Sequence, residues 1–372
     1  MNRLHFATLT LLALAGCAND PHQAARQHAQ ERVEAMAVNG YRPDRDQSLT
    51  LAQQQWVVAG QVQPLALAFP GSGTKLPLIV YLPGLGEGAQ AGARWRETWA
   101  RAGYAVLSFQ PLAFDADAWQ SDLARNADFK ALGHAHRAPE LQSQRAKRLS
   151  AVLAEARRRA AAGDALWSRV DFDTVVMAGY DVGSLTAAEA AGPARALLLL
   201  SPLPLDSALG SQLTQPLLMI GSRRDDDLIG MVASPAERTQ GFTKLPPGHK
   251  NLLLLESASH ALLSGAAGQE DATDGSTAVA TPQAARSSRG KGGSGGGGSG
   301  MRHRGGGGAG HGRDGDAARG GFDTAARSQA LAIATVSTAF LDAEVRGSRP
   351  AREWLDHEAA PWLRSLGQWQ QE

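Results

Sequence analysis

An aspartate stands where the spacing of this chain asks for a nucleophile. An apolar stretch rich in β-branched residues, Asp173-Thr174-Val175-Val176-Met177-Ala178, runs into Gly179-Tyr180-Asp181-Val182-Gly183-Ser184. An alanine-rich, helix-forming segment follows, Leu185 to Ala191. Strand, tight turn and helix in that order make a nucleophile elbow. The two glycines let the backbone turn sharply, and the side chain between them stands above the sheet. Serine is the usual occupant, and a carboxylate in its place is itself able to form a covalent intermediate.

Two further groups follow in the order nucleophile, acid, histidine. The apolar strand Pro216 to Ile220 leads into Gly221-Ser222-Arg223-Arg224-Asp225-Asp226-Asp227. A carboxylate at a strand's carboxyl end can orient a histidine and steady its imidazolium. Asp225 is the first choice and Asp226 the second, against the plain alternative of a solvated acidic turn. The strand Asn251 to Leu255 ends in Glu256-Ser257-Ala258-Ser259-His260, which puts His260 just after the last expected strand. An oxyanion hole needs two backbone N–H groups. Val182, next after the apex, offers one, and the turn Gly84-Leu85-Gly86 offers the other, with Leu85 as donor. Ser184 competes as nucleophile but belongs to the first helical turn rather than the apex.

These groups need a sheet to hold them. Gln55 to Ala59 and Val62 to Phe69 read as a hairpin turning at Gly60-Gln61, and Leu76 to Leu82 as a strand covered on both faces. An amphipathic helix over Gly92 to Ala102 carries Trp95 and Trp99 one turn apart, as core residues. Strand Tyr104 to Phe109 follows, then a loop or small lid over Pro111 to Gly133, then a long helix over Ala138 to Ala162. Strand Ala196 to Leu200 comes after the elbow helix. Alternation at this spacing predicts an α/β fold with a mostly parallel sheet and helices on both faces. Arg327 to Arg346 is an amphipathic helix, and Pro350 to Trp369 adds a further helical end.

The chain has 372 residues, 37 Lys+Arg against 36 Asp+Glu, and a formal net charge of +1, so nothing electrostatic argues for nucleic acid. A single cysteine excludes an internal disulfide. Arg3, the short apolar run Phe6 to Ala15, and Leu14-Ala15-Gly16-Cys17 read as a targeting segment too short to span a bilayer. Its end resembles a bacterial lipobox, which implies cleavage before Cys17 and lipid attachment there. Ala18 after the cysteine points by analogy to the outer membrane. The expected organisation is a signal peptide over 1–17, a polar tether over 18–46 with at most a loose helix, and one domain over 47–264 plus 322–372. A glycine-rich insertion over 265–321 cannot repay its ordering entropy and is expected to be disordered. His22, His28, His303 and His311 show no metal-ligand spacing. No Walker motif or dinucleotide fingerprint appears, so neither metal nor cofactor is expected.

From Leu76 to His260, and again over Ala332 to Leu355, the chain resembles bacterial α/β-hydrolases of the dienelactone hydrolase and platelet-activating-factor acetylhydrolase type. The likeness lies in Tyr81-Leu82-Pro83-Gly84-Leu85-Gly86, Gly179 to Ala187, Leu217 to Gly230, and Leu245-Pro246-Pro247-Gly248-His249-Lys250 leading to His260. Relatives carry His-Gly where this chain has Pro83-Gly84, and Gly-His-Ser-x-Gly where it has Tyr180 and Asp181. The resemblance implies an α/β-hydrolase fold without a large cap domain and a small-molecule ester substrate. Haloalkane dehalogenases and epoxide hydrolases of this fold use an elbow aspartate, but they carry a helical cap after the strand that follows the elbow helix. Here that connection, Ser201 to Gln215, is too short for one. Asp181, Asp225 and His260 are the expected catalytic set. A degenerate hydrolase kept as a binding or structural lipoprotein is the alternative.

Overall fold

The computed structural model describes residues 21–227, 229–266 and 313–372. Nine strands form one sheet: β1 (Leu49–Val58), β2 (Gln61–Pro70), β3 (Leu76–Leu82), β4 (Ala105–Ser108), β5 (Val170–Tyr180), β6 (Ala196–Leu200), β7 (Leu217–Ser222), β8 (Lys250–Leu255) and β9 (Gly367–Gln371). Their order is β1-β2-β4-β3-β5-β6-β7-β8-β9. The run from β4 through β8 is parallel, and antiparallel strands complete both edges. The fold is thus α/β with a mostly parallel sheet.

Both faces are covered, which explains why the central strands carry no polar side. On β3, Ile79 and Tyr81 join one core and Leu78, Val80 and Leu82 the other. On β6, Leu198 and Leu200 alternate in the same way with Leu197 and Leu199. The first core is roofed by the helices Ala93–Arg101 and Arg313–Val345. Trp95 and Trp99 are fully buried in it, their indole N–H groups donating to the Leu263 carbonyl at 2.9 Å and to Ser337 Oγ at 3.0 Å. Leu149, Val152, Leu153 and Ala156 of the long helix Pro139–Ala161 roof the second core.

Three expectations need correction. Pro21–Asn39 is not a free tether but a helix. It ends against the body of the protein, where Met36 and Tyr41 pack on the first core and the Met36 carbonyl accepts from Trp362 Nε1 at 3.0 Å. Ala29, in the middle of the helix, is buried as well, whereas Val38 near its end is exposed. The C-terminal helix begins at Arg313, so 313–321 is helical rather than part of a structureless insertion. Extending a helix whose later turns are docked costs far less than starting one. The helical end expected over Pro350 to Trp369 is present as the helices Arg349–His357 and Ala359–Leu363, but its last residues leave the helix for a strand, β9. Its Gly-Gln-Trp-Gln-Gln sequence has no apolar alternation because it is an edge strand with largely exposed side chains. The targeting segment with Cys17 and the Gly/Ser tract over 267–312 lie outside the described residues. Among the described residues, no helix is long and apolar enough to cross a membrane.

Candidate active site

The elbow is built as its glycines suggest. A Cβ on Gly179 would lie 2.3 Å from the Gly183 carbonyl oxygen, and one on Gly183 would lie 2.2 Å from the Leu82 carbonyl oxygen. Between them Asp181 has φ 49 and ψ −120, outside the left-handed well that aspartate tolerates. Such a conformation costs on the order of 1–3 kcal/mol and persists only where its surroundings impose it. Here the Asp181 N–H bonds to the Leu200 carbonyl at 3.2 Å, and the Asp181 carbonyl accepts from the Ser184 N–H at 2.9 Å.

Ser184 is fully committed. Its hydroxyl donates to the Asp181 carbonyl at 2.5 Å and accepts from the Leu203 N–H at 3.1 Å, with no exposed surface. It braces the elbow and is not placed to attack.

Of the two adjacent aspartates, Asp225 is the one that lies against His260. Asp225 is completely buried and its Oδ1 lies 2.6 Å from His260 Nδ1, while Asp226 is exposed to solvent. Ser201, which sequence reasoning missed, sits 3.2 Å from the same ring nitrogen through its Oγ. Tyr180 donates its hydroxyl to the His260 carbonyl at 2.9 Å and holds its ring 5.0 Å from the imidazole. The histidine is therefore gripped at both backbone and ring.

A more consequential residue, Arg238, also went unread in the sequence. It lies in a short 3₁₀ turn, Pro235–Arg238, between β7 and β8, and is 2 % exposed. Its Nη1 donates to the Ser201 carbonyl at 3.0 Å and to Asp181 Oδ1 at 3.4 Å. Its Nε lies 3.4 Å from Asp225 Oδ2, and its Nη2 lies 4.0 Å from Asp227 Oδ2. One buried cation thus faces three carboxylates. Nothing marks a lone arginine in an irregular loop as such a hub.

Glu87 is the other omission. Its Oε2 accepts from the Gly84 N–H at 2.9 Å, at the turn that abuts the elbow. A Cβ on Gly84 would lie only 3.2 Å from Asp181 Cβ. In that turn Gly84 N–H is taken by Glu87 and Gly86 N–H by the Asp115 carbonyl at 2.8 Å. Among the described residues Leu85 N–H has no partner. Val182, first in the elbow helix, has none within that helix either. The two residues expected to form an oxyanion hole thus belong to adjoining elements and share one apolar cluster. That cluster includes Ala118 and Leu132 from the segment after β4 and Ile229, Met231 and Val232 from the loop after β7. The segment expected to be a loop or small lid contains the short helices Ala113–Ala116, Asp122–Arg125 and Phe129–His136. Between Ser201 and Gln215 there is one short helix, Ser207–Gln212, and no cap domain.

Electrostatics follow from these neighbours. Burial opposes the His260 imidazolium, but the Asp225 hydrogen bond and the Asp181 and Asp225 charges outweigh it, so the net effect raises its pKa above 6.5. Burial likewise opposes the Asp225 carboxylate, and the His260 and Arg238 contacts win, so its pKa is lowered. Burial pushes Glu87 up to about 7, partly offset by the Gly84 hydrogen bond. Any step that needs neutral His260 should therefore fail on acidification through a midpoint above 6.5, because a raised pKa keeps the ring protonated over a wider range. A pH–rate profile of any such step checks this. Glu87→Gln, which removes a nearby acidic group, should move that limb to lower pH.

Among the described residues no group of His, Cys, Asp and Glu could hold a metal ion. Compared with protein-family models and with curated proteins, the chain matches none.

Proposed function

We propose that this chain is a hydrolase of the α/β-hydrolase fold, resembling the dienelactone hydrolase and platelet-activating-factor acetylhydrolase type. It cleaves a small organic ester through a covalent intermediate on Asp181, in the bacterial envelope, held there by lipid on Cys17. The observation that carries this reading is the 2.6 Å Asp225–His260 pair set beside an aspartate on a strained strand-to-helix elbow.

The chemistry runs in two stages. An Asp181 carboxylate oxygen adds to the ester carbonyl carbon, and the resulting oxyanion is held by the Leu85 and Val182 N–H groups. Collapse breaks the bond to the alkoxide, which takes a proton from the His260 imidazolium, leaving an acyl group on Asp181. Neutral His260 then takes a proton from water, and the hydroxide adds to the acyl carbon and expels the Asp181 carboxylate. Asp225 steadies the imidazolium in both stages. Among the described residues no hydrogen bond joins His260 to Asp181. A serine would need that bond to lose its proton, whereas an ionised carboxylate needs its histidine only for the leaving group and the water. Attack on a saturated carbon, as in epoxide hydrolases and dehalogenases, would use the same residues and release an alcohol.

One observation favours a binding protein instead. Arg238 pairs with Asp181, whose side chain is buried, and Val182 beside it packs in an apolar cluster. A panel of short-chain aryl esters, run with an epoxide and a haloalkane, separates the readings. Ester turnover by the wild type, lost in Asp225→Asn and His260→Ala, supports the hydrolase. Ligand binding with no turnover of any of the three supports the binding protein.

A further inference from the structure

A second buried charge cluster lies next to the first and serves none of the steps above. Asp115 has no exposed surface, and Arg145 grips its carboxylate with two nitrogens, Nε to Oδ2 and Nη2 to Oδ1, each at 2.7 Å. His136 Nδ1 lies 2.8 Å from Oδ1, and Arg145 Nη2 also donates to the His136 carbonyl at 2.7 Å. Phe114 stacks on the His136 ring at 4.1 Å. Burial opposes the Asp115 carboxylate, but the Arg145 and His136 contacts outweigh it and lower its pKa. A buried ion pair of this kind adds little net stability over apolar packing, because desolvation offsets its Coulomb gain. What it provides is fixed geometry.

That geometry ends at the oxyanion turn. The Asp115 carbonyl accepts the Gly86 N–H at 2.8 Å. The Trp119 indole lies against the other side of Gly86, so close that a Cβ there would fall 2.0 Å from the ring. The Gly84 carbonyl accepts from Gln110 Nε2 at 2.8 Å. Leu85 is thus held between two anchored neighbours, one of them fixed by Asp115.

We propose that Asp115, locked by Arg145 and His136, is a positioning residue for the oxyanion turn: it holds Gly86 so that the Leu85 N–H keeps its place. The kinetic consequence rests on the hydrolase reading; the structural consequence does not. Loosening the turn weakens an interaction made in the transition state, so it lowers kcat with KM nearly unchanged.

The test uses Asp115→Asn and the milder His136→Gln, which leaves the Arg145–Asp115 pair in place. Amide hydrogen exchange at Gly86 is followed beside kcat and KM for an ester that the wild type cleaves. In Asp115→Asn, Gly86 exchange should quicken at least tenfold and kcat should fall at least tenfold. KM should stay within about threefold, and β7 amides should keep wild-type protection. His136→Gln should show the same pattern more weakly, and it decides the matter if Asp115→Asn does not fold. Unchanged Gly86 exchange in a folded variant would overturn the proposal. So would faster exchange with unaltered kcat in an enzyme that turns over. If the wild type cleaves no ester, the hydrolase reading fails by itself and the exchange result alone judges the anchor.

Discussion

Asp181→Asn should abolish turnover, by roughly 10³-fold or more, because the amide is a far poorer nucleophile than the carboxylate it replaces. The substitution is nearly isosteric, so the elbow keeps its shape. Its backbone bonds to Leu200 and Ser184 use main-chain atoms and survive unchanged. Arg238 loses one of its three carboxylate neighbours but retains Asp225 and Asp227. Steady-state kinetics and a urea melt on the same preparation separate lost chemistry from lost fold. A large fall in kcat/KM with a midpoint near that of the wild type is the expected result. Ser184→Ala should do the opposite. It orphans the buried Leu203 N–H, at a cost of about 1–3 kcal/mol, and leaves the chemical step in place. Turnover lost in Ser184→Ala but kept in Asp181→Asn would reverse the assignment.

Arg238→Met should be the most destabilising single change at the site. The arginine is 2 % exposed and lies between Asp181, Asp225 and Asp227. Removing it leaves buried carboxylates facing one another, a loss of about 3–5 kcal/mol at neutral pH. The pH dependence gives the sign. In the wild type Asp225 is held below its usual 3.8, so its contribution is present above that value and is lost as pH falls through the lower folded pKa. Without the cation the carboxylates ionise less readily in the folded state, and protonation relieves their repulsion. The stability gap between variant and wild type should therefore narrow as pH is lowered from 7 toward 4. Denaturant midpoints across that range check it. A constant gap would mean that Arg238 acts through packing alone.

The sequence was most legible where function and chain order coincide. Asp181 could be found because two glycines must flank it, each lying against a neighbouring carbonyl. His260 could be found because it follows the last apolar strand of the series. Trp95 and Trp99 declared themselves by spacing, and both lie in the core. Asp225 and Asp226 could not be separated, since adjacent residues in a turn differ only in which one points inward. Arg238, Ser201 and Glu87 left no signal at all. Their roles come from loops folding back over the sheet, and one-dimensional periodicity carries no record of that. The same holds for β9, a polar edge strand whose pairing with β8 is decided by backbone hydrogen bonds rather than by side-chain alternation. The N-terminal segment misled for another reason: its polar average concealed Met36 and Tyr41, whose contacts with the core seat its end.

The central claim is that Asp181 carries a covalent intermediate which His260 helps water to resolve. His260→Gln, incubated with a short-chain aryl ester and analysed by intact and peptide mass, tests that most directly. With the water step crippled, one acyl group should accumulate on the peptide that contains Asp181, and it should be absent from the Asp181→Asn, His260→Gln double variant. An adduct that maps to Ser184, or ester hydrolysis by the wild type with no adduct on Asp181 in the trapped variant, would contradict it.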